Sequence, residues 1–390
     1  AAAARQVVRQ RAIDAITAAN DFKLVLLRAP AGFGKTTVML QYRARLEAAG
    51  IANAWLNLDR ADNDASRFLA ALEAAVALIT GEDDAPYTAE SEAGIGDAAL
   101  RLIAWLGAQR TPFALFLDEF EAIQEAGVLG LLRELIDHLP ARGQLVIASR
   151  SLPDLRLGRL RARGQLLEID VARLRFTLDE TAQYFTLRRA TPLPAEDLAR
   201  LHEKTEGWVA ALWLASVSLE QAASTSEFIA RFSGTEQAVA DYLAEDVLER
   251  QRPEVREFLL RTSVLRQLDA PLCDALLSGV DSTRILRELE AADVLLVPLG
   301  GADKSYRYHS LFAGFLQAQL EREAPSEVKR LHAAAAAWYG AHQRPVPAIE
   351  HAIEGGDFAL AIALLAEQAP VLLAQGRMRL LARWFRALPA

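Results

Sequence analysis

Cysteine, lysine and long apolar runs are all scarce in this chain, and each shortage closes off a class of protein. Of 390 residues one is cysteine, Cys273. That excludes an internal disulfide framework and a cysteine-rich zinc site, and it fits a reducing compartment. No apolar stretch approaches the roughly 20 residues that span a bilayer, because arginine or aspartate interrupts the best of them. Residues 1–10 have no apolar segment behind their basic side chains, so no signal peptide is expected and the cytoplasm is the default location. Basic surplus is missing too: 43 Lys and Arg stand against 51 Asp and Glu, a net charge of −8. That balance argues against a broad polyanion-binding surface on these residues taken alone. Glycine and proline, at 22 and 15, are too few for a fibrous or low-complexity chain, and a hydrophobic content of 52% rules out global disorder. The length suggests about two or three domains.

Only five of the 43 basic residues are lysine: Lys23, Lys35, Lys204, Lys304 and Lys329. A lysine where arginine would serve solubility equally well therefore raises a chemical question, and Lys35 is that case. The chain opens on four alanines without Met and ends with a helical pattern still running through residues 377–390. It reads as a fragment of a longer protein.

Along the first half, short apolar runs alternate with helical spacing. Strands are expected at 24–27, 54–58, 113–117, 144–149 and 165–169, and helices at 36–49, 66–79, 98–109 and 128–139. The acidic stretch 81–94 reads as a solvated loop. Nearly all-apolar strands alternating with helices describe a doubly wound parallel sheet in an α/β domain. Beyond residue 172 the strand signal fades. Thr177 with Glu180 makes a capping box, and amphipathic helices follow at 195–204, 207–221 and 237–249. Residues 253–320 read as three helices closed by a hairpin, with strands at 294–298 and 306–309 around the turn 300–304, which is a winged-helix order. From 326 on, alanine-rich helices turn at Gly340 and Gly355 in the manner of a solenoid. The expected domains are 1–172, 173–250, 251–322 and 323–390.

The turn at 29–37, APAGFGKTT, sits between a strand and a helix, where a phosphate-binding loop belongs. Gly32 and Gly34 let the backbone amides around Phe33 converge on phosphate oxygens, and the helix N-terminus adds partial positive charge. Lys35 reaches the β- and γ-phosphates, Thr36 ligates Mg²⁺ and Thr37 continues the turn into the helix. Ala29 stands where the strict pattern has its first glycine. A plain strand-turn-helix glycine turn is the competing reading, and the rare lysine weighs against it. The strand LFLDE offers Asp118 as the second Mg²⁺ anchor, acting through the ion's water shell, and Glu119 as the group that orients or deprotonates a water. Arg150 ends the fourth strand, at the ligand edge of such a sheet, in a position to sense a γ-phosphate; an ordinary surface arginine is the alternative. No N-K-x-D motif is present, so ATP or ADP is favoured over a guanine nucleotide.

These motifs, with 55–68 (WLNLDRADNDASRF), 159–169, Glu206–Gly207–Trp208 and the stretch 308–316, resemble the MalT-type, ATP-dependent LuxR regulators among the STAND P-loop NTPases. The resemblance implies a nucleotide switch, closed on ADP and opened by ATP plus an inducer into a self-associating form. It also implies slow hydrolysis and DNA binding by a helix-turn-helix outside these residues. It implies that His309 reads the ADP β-phosphate and that Val8, Arg9 and Arg11 lie at the entry to the adenine pocket. Val209 departs from the proline of better-known relatives, which leaves the adenine contact there open.

Two readings from other classes stay open at this point: a P-loop small-molecule kinase and an AAA+ motor. The winged helix is not expected to read DNA itself, because Glu254, Glu257, Asp274, Asp281, Glu288, Glu290, Asp293 and Asp303 populate it. The six histidines show neither H-x-x-E-H nor H-E-x-x-H spacing, so no metal beyond Mg²⁺ is expected. Trp105, Trp208, Trp213, Trp338 and Trp384 sit in helical patterns and read as packing residues rather than a ligand cage, and Cys273 as a buried apolar residue.

Overall fold

The computed structural model describes residues 6–18, 22–80, 95–189, 191–222, 224–277, 279–292, 294–299, 304–374 and 378–389. The acidic loop expected at 81–94 and most of the turn at 300–304 lie outside them. The chain divides into two compact units, one formed by residues 1–217 with 291–293, the other by the remainder.

The first unit opens with α1 (Gln10–Thr17), then β1 (Leu24–Arg28), α2 (Lys35–Ala48), β2 (Ala52–Asn57), α3 (Ala65–Thr80) and α4 (Ile95–Gly107). It continues through β3 (Phe113–Asp118), α5 (Ala126–His138), β4 (Gly143–Ser149), α6 (Leu157–Ala162), β5 (Leu166–Ile169), α7 (Val171–Leu174), α8 (Leu178–Arg188), α9 (Ala195–Thr205) and α10 (Val209–Gln221). The five strands form one parallel sheet in the order β2-β3-β4-β1-β5. The doubly wound α/β expectation holds, and strand ends differ from the expected ones by one or two residues.

Alternation along the strands sends side chains to two covered faces. Leu24, Leu26, Leu115, Leu117, Leu145 and Ile147 pack with Phe68 and Leu72 of α3, Leu102 and Leu106 of α4 and Leu132 and Ile136 of α5. On the other face Phe116 meets Tyr42 of α2 edge-on at 6.1 Å. Buried on both sides, β3 and β4 expose no residue, which is why they read as mostly apolar runs, with polar residues only toward their ends.

The second unit contains α11 (Thr225–Arg231), α12 (Gln237–Tyr242), α13 (Pro253–Thr262), α14 (Ala270–Leu276), α15 (Ser282–Ala291), β6 (Leu296–Leu299) and β7 (Ser305–Tyr308). The helix expected at 237–249 is interrupted: after Tyr242 the turn widens into a π-helix, Leu243–Leu248, which puts Leu243, Val247 and Leu248 into the core. Strands β6 and β7 pair antiparallel, Leu296 opposite Tyr308. Leu268 adds a further bridge to Tyr306, its N–H donating to the Tyr306 carbonyl at 2.7 Å. Three helices and a hairpin form the expected winged helix. Cys273 is fully buried within it, and burial pushes its thiol well above the ordinary range.

Four helices follow: α16 (Ser310–Glu323), α17 (Pro325–Ala341), α18 (Pro345–Gly355) and α19 (Phe358–Ala374), with α20 (Met378–Ala387) after them. Gly340 does not make the turn expected of it. It lies inside α17, and the chain reverses at His342–Arg344, where Gln343 takes the left-handed conformation at φ 56°. Among the tryptophans, Trp208 and Trp384 are buried, whereas Trp213 is 48% exposed and is not the packing residue its helical position suggested.

Among the described residues, no helix is long and apolar enough to cross a membrane.

Candidate functional site

The loop between β1 and α2 is shaped by two glycines with positive φ, Gly32 at 78° and Gly34 at 79°. Gly34 is the N-cap of α2, where a left-handed backbone turns the first helical amides outward along the helix axis. A side chain there would be strained whatever the space available. Lys35 opens the helix, and its ammonium donates to the carbonyls of Ala29 at 2.7 Å and Pro30 at 3.0 Å, which holds it within the turn. Ala29 in turn donates its N–H to the Ser149 carbonyl at the end of β4. Thr37 is half-buried in the first turn of α2.

The Thr36 hydroxyl donates to Asp118 Oδ2 at 2.7 Å, although 82 residues separate them. Sheet order explains the meeting: β3 is two strands from β1, and both strands end at the same edge. Asp118 is 4% exposed, and its second oxygen accepts the Glu119 backbone N–H at 2.9 Å. Glu119 itself is exposed and left-handed, with φ 56°, an uncommon conformation for a non-glycine residue. A hydroxyl and a carboxylate this close are oxygen donors of the kind Mg²⁺ takes, one directly and one through the ion's water shell.

Arg150 directly follows β4 rather than ending it, and it has a partner the sequence did not disclose. Its Nε lies 2.8 Å from Glu121 Oε1, and its backbone N–H donates to Glu121 Oε2 at 3.1 Å.

Arg9 is 3% exposed. Its guanidinium donates to the Leu174 carbonyl at 2.6 Å, to the Arg175 carbonyl at 3.3 Å and to Glu180 at 3.2 Å, and lies 4.7 Å over the Phe176 ring. Burial pulls its pKa down and Glu180 opposes that. One guanidinium nitrogen comes within 3.7 Å of where a Cβ on Gly34 would stand. Arg9 thus ties the entry segment to the phosphate-type loop and to the start of α8. Its neighbours Val8 and Arg11 are exposed.

Three residues of the loop's support were not singled out for this role from sequence. The Trp208 indole N–H donates to the Ala31 carbonyl at 3.1 Å, the Ala210 N–H donates to the Gly32 carbonyl at 2.9 Å, and the Phe33 ring stacks on Trp208 at 6.2 Å. Gly207 makes this approach possible: a Cβ there would stand 2.3 Å from the Phe176 carbonyl oxygen, and its φ is +72°. The adjacent Gly207–Trp208 pair was the available signal.

His309 lies in the second unit, where it is 2% exposed and N-caps α16; its N–H donates to the Leu295 carbonyl at 2.8 Å.

Residues 244–328 match the MalT winged helix domain family. The chain is similar to the HTH-type transcriptional regulator MalT of Klebsiella pneumoniae subsp. pneumoniae, with 32% identity over 98% of this chain and 43% of the relative. To MalT of Yersinia pestis it is 33% identical, with the same coverage. It therefore spans less than half the length of these relatives. A solved structure of the Aeropyrum pernix ORC2 protein aligns with 80% of this chain and 92% of its own at a TM-score of 0.43 and 16% identity, a likeness too loose to bear on the site.

Proposed function

We propose that this chain, a relative of the MalT-type regulators that carries their winged helix domain, is an ATP/ADP-operated switch within a transcriptional regulator. The observation that carries the reading is the Thr36–Asp118 contact at 2.7 Å beside the Gly34–Lys35 turn. In this reading the turn serves as a phosphate cradle and the Thr36–Asp118 pair as a divalent-cation anchor at the same sheet edge, as a nucleoside triphosphate requires.

In this reading the amides from Gly32 to Thr37 and the Lys35 ammonium bind the phosphates. Thr36, directly, and Asp118, through the water shell, would hold Mg²⁺, which would neutralise phosphate charge. Glu119, exposed at the strand end, orients the attacking water. Arg150 reads the γ-phosphate once it exchanges Glu121 for that anion. Val8 and Arg11 border the base, and Arg9 positions the loop without touching the ligand.

A two-state balance moved from 1:99 to 99:1 needs about 5.5 kcal/mol of differential binding. The γ-phosphate supplies part through Arg150; an inducer and partner protomers supply the rest. Self-association in the cytoplasm and DNA binding by another part of the full protein complete the proposal. Hydrolysis then serves as a timer, slower than the roughly 10 per second of a typical metabolic enzyme.

Calorimetry with ADP and with ATP tests it. Binding that Lys35→Ala weakens strongly supports the assignment, whereas unchanged affinity and turnover in Lys35→Ala remove it.

A further inference from the structure

In the second unit α17 and α18 place three metal-competent side chains together. His332 Nδ1 and His351 Nδ1 face each other at 2.9 Å, and Glu354 Oε2 lies 3.6 Å from His332 Nδ1. His332 and His351 are 8% and 4% exposed. The ligand atoms of all three lie within 4.8 Å of one another. The two histidines are 19 residues apart in sequence, a separation outside any short metal motif, so only the antiparallel helix pair unites them.

We propose that His332, His351 and Glu354 form a binding site for a divalent transition-metal ion of the zinc class, which clips α17 to α18. Two imidazoles and one carboxylate are the donor set that such ions prefer over Mg²⁺ or Ca²⁺. Tetrahedral coordination at Zn–N of about 2.0–2.1 Å sets the two nitrogens roughly 3.3 Å apart. The observed 2.9 Å needs to open by only a few tenths of an ångström. The imidazole–carboxylate separation already suits a shared ion.

The surroundings support the same assignment. Arg266 donates to Glu354 Oε1 at 3.2 Å, which leaves Oε2, the oxygen facing His332, for the metal and fixes the carboxylate's orientation. The Tyr339 ring stacks on His351 at 5.5 Å. Gly355 lets the helices come close, since a Cβ there would stand 3.0 Å from His332 Cβ. Burial favours the neutral form of both histidines, the form that ligates. Three protein donors leave a fourth position for water.

The test uses the full chain without added histidines, stripped by chelator and titrated with Zn²⁺ and with Co²⁺. We expect one equivalent bound at micromolar affinity or better, the intense visible bands of tetrahedral Co²⁺, and a higher melting temperature with Zn²⁺ than with EDTA. Glu354→Gln, at a side chain 42% exposed, retains the fold and weakens binding at least about tenfold. The double variant His332→Gln/His351→Gln abolishes it. No Zn²⁺ binding by the wild type, or equal binding by wild type and Glu354→Gln, overturns the proposal. Neither result depends on nucleotide.

Discussion

The indole nitrogen of Trp208 donates to the Ala31 carbonyl at 3.1 Å across 177 residues of sequence. With the Phe33 stack and the Ala210–Gly32 hydrogen bond, it fixes the phosphate-type loop to the start of α10. Trp208→Phe removes the hydrogen bond and keeps much of the ring, so a stability loss of about 1 kcal/mol is expected. Trp208→Ala also leaves a large cavity and costs about 3–5 kcal/mol. Denaturant melts of the two variants separate the contributions, and a smaller loss in the alanine variant than in the phenylalanine variant contradicts the arrangement.

Gly207→Ala makes a sharper test of the same support. Its Cβ meets a backbone oxygen at 2.3 Å, which no rotamer change relieves. The variant is expected to lose at least about 1–3 kcal/mol and to bind ADP more weakly because the loop is displaced. Gly50→Ala, also at positive φ but with nothing nearby, controls for backbone strain alone and leaves ADP affinity unchanged.

The Arg150–Glu121 pair gives a prediction about nucleotide preference. If Arg150 reads the γ-phosphate, Arg150→Ala lowers ATP affinity about tenfold, the worth of one charge-assisted hydrogen bond, and leaves ADP affinity alone. Glu121→Gln frees the guanidinium and shifts the ATP:ADP ratio the other way. Parallel calorimetric titrations decide, and equal effects on both nucleotides count against the role.

His202 gives the first unit a pH dependence. Its Nδ1 lies 3.0 Å from the Thr181 hydroxyl, and burial, with Arg175 adding to it, lowers its pKa from the ordinary 6.5. The unfolded chain then binds the proton first, so this contribution to stability is complete above about pH 6.5 and is lost as pH falls through the folded value. His202→Gln should flatten the stability profile below pH 6.5, measured by urea melts; an unchanged slope refutes it.

Much of this architecture was legible because buried parallel strands and amphipathic helices carry unmistakable periods. The stretches at 113–117 and 145–148 are apolar because both faces are covered, and the Gly34–Lys35 turn advertises its conformation through residue type. What was not legible is pairing between distant side chains. Nothing near Arg150 marks Glu121 as its partner, and nothing near Arg9 marks the carbonyls of 173–175. His332 and His351 carry no motif because helix packing, not spacing, brings them together. The π-turn at 243–248 was missed for a related reason: the apolar residues there suit both a regular and a widened helix.

The strand order has a consequence for how the molecule is made. β1 leaves the ribosome before the other four strands of this sheet, yet both of its neighbours, β4 and β5, are the last of the five to be synthesised. The turn that follows β1 therefore has no floor until residues 143–169 have emerged, and such non-local pairing is slow. A nascent chain stalled before that point holds the whole signature from Ala29 to Thr37 and lacks the surface that gives it shape.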